Sequence, residues 1–231
     1  MKQVVVFTGA GVSAESGINT FRDSNGLWEQ YRIEDVATPE AFERNPELVL
    51  DFYNQRRKQV LNAHPNAAHL AIVELEKYFQ VQIITQNIDD LHERAGSKKV
   101  LHLHGEIRKS RSTKSPNLIY KIEGDALNMG DKCEKGSQLR PHIVWFGEAV
   151  PKMEDAVMLT QKADILLIIG TSLEVYPAAS LVQFARDEAE KYLIDPKANA
   201  ISGIANLRIL KKNAGAGVPA LVKQLIKEHV Q

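Results

Sequence analysis

Cysteine is almost missing from this chain: Cys133 is the only one in 231 residues, so no intrachain disulfide can form. Net charge is missing too, because 29 basic side chains balance 29 acidic ones. No global field therefore draws the protein to nucleic acid or to an anionic membrane, and any preference for an anion must come from a local site. Near the start, Lys2 precedes only four consecutive apolar residues, 4–7, too few for a signal peptide or a membrane span. Internal repeats and low-complexity segments are absent. The composition is that of an ordinary globular protein, 44% hydrophobic and 25% charged, in a chain long enough for one large core or a domain with a smaller module. The expectation is a cytoplasmic enzyme or binding protein.

What is present is an apolar run, Val4-Val5-Val6-Phe7, that breaks into Gly9-Ala10-Gly11-Val12-Ser13-Ala14-Glu15-Ser16-Gly17-Ile18. The pattern predicts a strand, a tight turn and a helix N-terminus, which would aim backbone N–H groups and a helix dipole at one point. Gly9, Gly11 and Ala14 fit the G-x-G-x-x-G/A fingerprint of dinucleotide sites. The usual second strand ending in an acidic residue about 20 positions on is lacking. The next convincing strand is at residues 82–85, so something is inserted between the first two strands.

Residues 4–7, 82–85 and 165–169 read as buried parallel strands, each ending in a polar or glycine-bearing turn. Weaker strands are predicted at 100–103, 142–146, 191–194 and 207–210, and helices at 65–78 and 178–190. This alternation implies an α/β fold, a Rossmann-like parallel sheet with helices on both faces and ligands at the carboxyl ends of its strands. Two stretches stand outside it: residues 30–64, helical with Pro39 and Pro46 at helix starts, and residues 108–140, basic and turn-rich. Together they are expected to form a smaller domain beside a Rossmann-like domain of residues 1–29, 65–107 and 141–231. His102 and His104 fall on one face of the strand-like alternation at 100–104, and spacing does not choose between them. Asn87 and Asp89 follow a buried strand, where such residues either shape a turn or serve a ligand.

Five segments in order together resemble the sirtuin family of NAD-dependent protein deacylases. They are residues 9–18 with Thr20-Phe21-Arg22, then Thr85-Gln86-Asn87-Ile88-Asp89, His104-Gly105, Val144-Trp145-Phe146-Gly147-Glu148 and Gly170-Thr171-Ser172. The resemblance implies NAD as cofactor, its diphosphate on the Gly9–Ser13 turn and the amides of Thr171 and Ser172. It implies nicotinamide and its ribose at Asn87 and Asp89, with Phe21 on a loop shielding the reacting centre and Arg22 ordering that loop. Ala10, Ala14, Glu15, Thr20, Trp28, Gln86, Ile88, Gly170 and Ala214 would line the same cofactor. An acyl-lysine oxygen would displace nicotinamide, His104 would act as general base through the ribose hydroxyls, and 2′-O-acyl-ADP-ribose would leave.

The chain departs from that family pattern in places. Where most sirtuins place two zinc-binding Cys-x-x-Cys pairs, this chain has Ser110 and Thr113, then Lys132 and Lys135, with Cys133 out of register and His142 nearby. Four soft or imidazole ligands are not on offer, so no zinc is expected; the basic stretch would be held by packing or loosely ordered, and Cys133 would be a surface or half-buried thiol. Asn19 stands where proline is usual, and Asp195 where asparagine often meets the adenosine ribose.

Tyr53, Arg56 and Arg57 share a helical stretch, whose plain reading is a solvated basic face with a half-buried tyrosine. The segment also resembles the Tyr-x-x-Arg pair of sirtuins that remove malonyl, succinyl and glutaryl groups, which selects Tyr53 and Arg56 to hold an acyl-chain carboxylate. The acylated peptide would add as a strand between Phe146-Gly147-Glu148 and Glu174-Val175-Tyr176, with Val144 beside it. A monomer acting on acylated lysines of proteins, without nucleic acid or membrane, is the expectation. Mono-ADP-ribosyl transfer and a catalytically weak NAD sensor are the alternatives.

Overall fold

The computed structural model describes residues 1–18, 31–198 and 203–230. Asn19, Thr20, Phe21, Arg22 and Trp28 lie outside the described residues. Strands are numbered along the chain. Strands β1 (Gln3–Thr8), β2 (Gln80–Thr85), β3 (Val100–His102), β7 (Ile165–Ile169), β8 (Glu190–Ile194) and β9 (Leu207–Leu210) form one parallel sheet in the order β3-β2-β1-β7-β8-β9. This is the doubly wound order of a Rossmann-like sheet, with its switch point between β1 and β7.

The central strands are apolar at successive positions because both faces are covered. Val4, Val6, Ile165 and Leu167 pack on one side against α5 (Ala67–Leu75) and α8 (Ala214–His229), through Ile72, Leu75, Val218 and Leu221. Val5, Phe7, Leu166 and Ile168 pack on the other against α7 (Met153–Gln161) and a 3₁₀ segment (Ala178–Phe184), through Ala156, Leu181 and Val182.

The insertion after β1 contains α2 (Ile33–Val36), α3 (Pro39–Arg44) and α4 (Pro46–Asn62). Both predicted proline starts are found, capped by Thr38 Oγ1, which accepts from the Ala41 amide at 3.0 Å, and Asn45 Oδ1, which accepts from Leu48 at 3.1 Å. These helices pack on a separate antiparallel sheet of β4 (Gly105–Ser112), β5 (Ile119–Lys121) and β6 (Leu139–Ile143), ordered β5-β4-β6. A second core of Val49, Phe52, Tyr53, Ile107, Ile143 and Trp145 joins them.

Four expectations are corrected. The strand predicted at 142–146 is β6, which ends at Ile143 and belongs to the second sheet; Pro141 is tolerated because β6 is an edge. The second sheet thus extends past residues 108–140 at both ends. The helix predicted over 178–190 stops as the 3₁₀ segment. The carbonyls of Arg186, Asp187 and Ala189 instead turn onto the buried Lys191 ammonium at 2.6, 3.3 and 3.1 Å, a convergence that helical carbonyls cannot make. Helix α1 (Gly11–Ala14) is one turn long, too short for a substantial dipole, so local amides matter instead. Cys133 is buried, with Sγ 3.4 Å from Ser112 Oγ.

The turn after β1 is pressed against the turn after β7. A Cβ on Gly9 would stand 2.7 Å from the Gly170 oxygen, and one on Gly11 2.7 Å from the Gly170 Cα. Gly170 itself has φ +59° and abuts the backbone of Gly11 and Val12. Gly170→Ala should therefore cost about 3 kcal/mol in urea unfolding, against about 1 for Gly124→Ala, whose φ is also positive but whose surroundings are open. Equal costs would refute the close-approach argument.

Candidate active site

The turns that end β1, β2 and β7 meet at the carboxyl edge of the sheet and open into a cleft of about 810 Å³ shared with the smaller module. All the predicted site residues that are described line it, including Asp195 and Ala214 at one side and Tyr53, Arg56, Val144, Val175 and Tyr176 at another. Among the residues sequence reasoning did not single out, Trp145 lines it as well. Its one signal was a place inside the quoted segment at 144–148.

The centre of the cleft is a buried polar hub. The Asn87 side-chain amide donates to the Gly9 carbonyl and to Ser13 Oγ, both at 3.2 Å. Ser13 Oγ in turn donates to Asp89 Oδ2 at 3.0 Å, and the Leu91 amide donates to Asp89 Oδ1 at 3.1 Å. With both its N–H groups engaged, Asn87 keeps Oδ1 as its remaining polar side-chain atom. Burial pushes the Asp89 carboxyl upward, opposed by the bonds from Leu91 and Ser13. The Asn87 main chain is fixed too: its N–H donates to Thr85 Oγ1 at 3.0 Å, and its carbonyl accepts from His102 Nδ1 at 3.0 Å.

The two histidines left undecided by spacing now separate. His102 Nε2 lies 2.8 Å from Glu93 Oε1; burial lowers its pKa, but the Glu93 carboxylate outweighs this and holds it above the usual 6.5. His104 lines the cleft, and its Nδ1 is 3.0 Å from the Gln86 carbonyl. A carbonyl only accepts, so Nδ1 carries the proton and Nε2 is the basic nitrogen. Burial lowers the His104 pKa below 6.5, partly offset by the Gln86 bond. One histidine is an ion-paired support and the other is a neutral base at neutral pH.

At the phosphate end, the Gly9 and Gly11 amides are used by the fold, donating to Ile169 O at 3.0 Å and Gly170 O at 2.8 Å. The Ala10, Thr171 and Ser172 amides have no acceptor among the described residues. Gln86 Nε2 donates to Thr171 Oγ1 at 3.1 Å, tying two of the turns together. Glu15 accepts from the Gly215 amide at 2.6 Å and so caps α8 as it lines the cleft. Asp195 accepts from the Lys197 amide at 2.8 Å. Unspent amides beside turns too tight for a Cβ suit an extended anionic ligand.

On helix α4 the plain reading of a solvated face is overturned. Tyr53 is buried and Arg57 is fully so, its Nε donating to the Ile107 carbonyl at 2.7 Å and its Nη1 to Asn54 Oδ1 and the Asp125 carbonyl. Arg57 is a brace between α4 and the second sheet; Arg56, half-buried, lines the cleft with Tyr53. Burial lowers the Arg56 guanidinium, and Tyr53 and Asp89 raise it again. Residues 146–148 form a turn, not a strand: the Phe146 amide donates to Ala37 O and that of Glu148 to Trp145 O. Residues 174–176 are likewise not a strand, so the predicted two-sided pairing has no preformed strand on either side.

Such a sheet, with a buried amide–carboxylate hub and a neutral histidine at its switch point, defines a nucleotide-binding α/β protein. A model described as the Sir2 family matches residues 9–177. An NAD-dependent protein deacylase of Helicobacter pylori is 55% identical over 227 residues, covering 98% of this chain and 99% of that protein. An ADP-ribose complex of a Sir2 homologue mutant superposes with TM-score 0.90 at 43% identity, over 98% of this chain and 93% of the other. A Sir2 homologue–NAD complex gives 0.89 at 43% identity, over 98% and 90%. The chain belongs to the Sir2 family.

Nuclear magnetic resonance titration of the imidazole signals checks the division between the two histidines. On acidification His102 should protonate first, above 6.5, and His104 only below 6.5. The reverse order would remove His104 as the neutral base.

Proposed function

We propose that this protein removes acyl groups from protein lysines with NAD as cofactor, taking succinyl and malonyl groups as well as acetyl, and giving nicotinamide, 2′-O-acyl-ADP-ribose and free lysine. NAD-dependent protein deacylation is the activity that relatives across the whole chain are named for. When bound, NAD supplies an electrophilic ribose carbon and nicotinamide as its leaving group. Asn87 and Asp89 would hold that end, and the Ala10, Thr171 and Ser172 amides the diphosphate. His104 Nε2 takes a proton at neutral pH because burial keeps the ring neutral and the Gln86 carbonyl fixes its tautomer. An amide oxygen is a weak nucleophile, so positioning and exclusion of water by the cleft walls carry much of the rate.

The acidic-acyl reading rests on one observation: Tyr53 and Arg56 both line the cleft, whereas Arg57 is spent on backbone carbonyls. A guanidinium and a phenol can share a carboxylate through charge-assisted bonds. Mass spectrometry of succinyl- and acetyl-lysine peptides incubated with and without NAD is the direct test. Arg56→Met should lower kcat/KM for desuccinylation by about 10- to 100-fold and for deacetylation far less. Equal losses on both substrates would discard the carboxylate clamp.

We also infer that the smaller module carries no zinc. Ser110 sits inside β4, Thr113 Oγ1 donates to the Gln138 carbonyl at 2.9 Å, and Lys132 pairs with Gln138 in an isolated bridge. Cys133 is the module's one thiol, and a tetrahedral site needs four donors. Metal analysis after purification without added zinc should read well under one zinc per chain; a value of about one would overturn this.

A further inference from the structure

Tyr53 is held by a neighbour that has only one way to bind it. Trp145 Nε1 lies 3.1 Å from the Tyr53 oxygen, and both side chains are almost fully buried at the edge of the cleft. An indole N–H donates and never accepts, so in this bond the phenol oxygen is the acceptor. A phenol proton lies near its ring plane in one of two orientations. With the indole N–H against one side of the oxygen, the proton is left to the other.

The indole is itself locked in place. The Arg140 guanidinium stacks 3.3 Å from the Trp145 ring centroid, and Phe42 packs at 5.3 Å between centroids. Arg140 grips Glu148 with two bonds of 2.7 and 3.0 Å, and Arg111 Nη2 reaches the same carboxylate at 3.2 Å. Glu148 Oε2 also accepts from the Trp145 main-chain N–H at 2.8 Å, closing a ring of contacts around the tryptophan. Burial opposes ionisation of Glu148, but Arg140 and the Trp145 amide outweigh it and keep the carboxylate charged. Burial of Tyr53 pushes its phenol up to about 12, so its proton is retained.

We infer that Trp145 is a positioning residue for acyl selection: its indole N–H, held by the Arg140–Glu148 pair, turns the Tyr53 hydroxyl so that its proton is offered to a carboxylate on the acyl chain. This rests on the reading of Tyr53 and Arg56 as a carboxylate clamp. An acetyl group has no carboxylate to receive that proton, so the orientation of Tyr53 matters for succinyl and malonyl chains alone. A preoriented donor raises affinity by removing the cost of ordering it when the ligand arrives. Glu148 thereby serves the Tyr53 side of the cleft from the turn that follows β6.

The test is steady-state kinetics on succinyl-lysine and acetyl-lysine peptides for wild type, Trp145→Phe, Tyr53→Phe, the double variant and Arg56→Met. Trp145→Phe keeps an aromatic ring but removes the donor together with part of the ring packed against Arg140 and Phe42, whereas benzothienylalanine at 145 removes the donor at nearly constant shape. Trp145→Phe should raise KM for the succinyl peptide about fivefold to tenfold, with a smaller change in kcat, and lower the succinyl-to-acetyl ratio of kcat/KM to match. The double variant should equal Tyr53→Phe on the succinyl peptide, because both act through one hydroxyl. Equal losses on the two peptides, or additive losses in the double variant, would overturn the inference. Should Trp145→Phe fold poorly, benzothienylalanine at 145, with sulfur in place of the N–H, should give the same selective loss. If Arg56→Met lowers the ratio and Trp145→Phe does not, the inference alone falls. If Arg56→Met leaves the ratio untouched, the clamp reading falls and takes the inference with it.

Discussion

The architecture depends on the near contact of two backbone turns, Gly9 to Gly11 after β1 and Gly170 after β7. These are the adjacent strands at which the sheet reverses its order, so a gap opens there between helices on opposite faces. The absence of three side chains lets the turns touch, and the Gly11 amide donates to the Gly170 carbonyl at 2.8 Å. Where the two turns touch, the cleft is bounded by main chain. A rigid main-chain floor leaves amides beside it available to an anion at little cost in side-chain entropy.

Above that floor the chemistry is set by burial more than by charge. Ser13 links Asn87 to Asp89, and among the described residues Asn87 is tied at every polar group but one, so a ligand would meet a prearranged acceptor. Two histidines two residues apart receive opposite shifts, because burial outweighs the Gln86 bond at His104 whereas the Glu93 carboxylate outweighs burial at His102. Preorganisation of this kind suits a reaction whose nucleophile is weak.

The second sheet is held by arginines. Arg57 pins α4 to β4, and Arg140 and Arg111 converge on Glu148. Because a guanidinium presents several donors in a rigid plane, it can bridge carbonyls and a carboxylate at once and fix a loop-rich module to its neighbours. The same contacts end at Trp145 and Tyr53, so the groups that hold the module also reach one wall of the cleft.

Much of this was legible in the chain. The three buried strands, the glycine turn, the proline-started helices and the polar turns that gather at the strand ends follow from local pattern, and they place most of the cleft. The ordered motifs pointed to the family before any fold was drawn. The misjudged parts depend on partners distant in sequence. The stretch at 186–189 was patterned as helix until the Lys191 ammonium claimed its carbonyls, and the strand near 142 joined a different sheet because β4 was its partner. The segment at 146–148 is a turn because its Phe146 and Glu148 amides donate to Ala37 and Trp145, bonds that local pattern does not reveal.

By itself the sequence determined which residue types stand at each strand end and on each helix face, because backbone periodicity is local. Spacing left the neighbours on those faces open and the family resemblance chose Arg56 and His104, but only the tertiary structure gave the other members their places: Arg57 as the brace, His102 as the support, Trp145 as the partner of Tyr53. The physical reason is that adjacent side chains on one element differ by its angle of docking, and that angle is fixed by the packing of the elements around it.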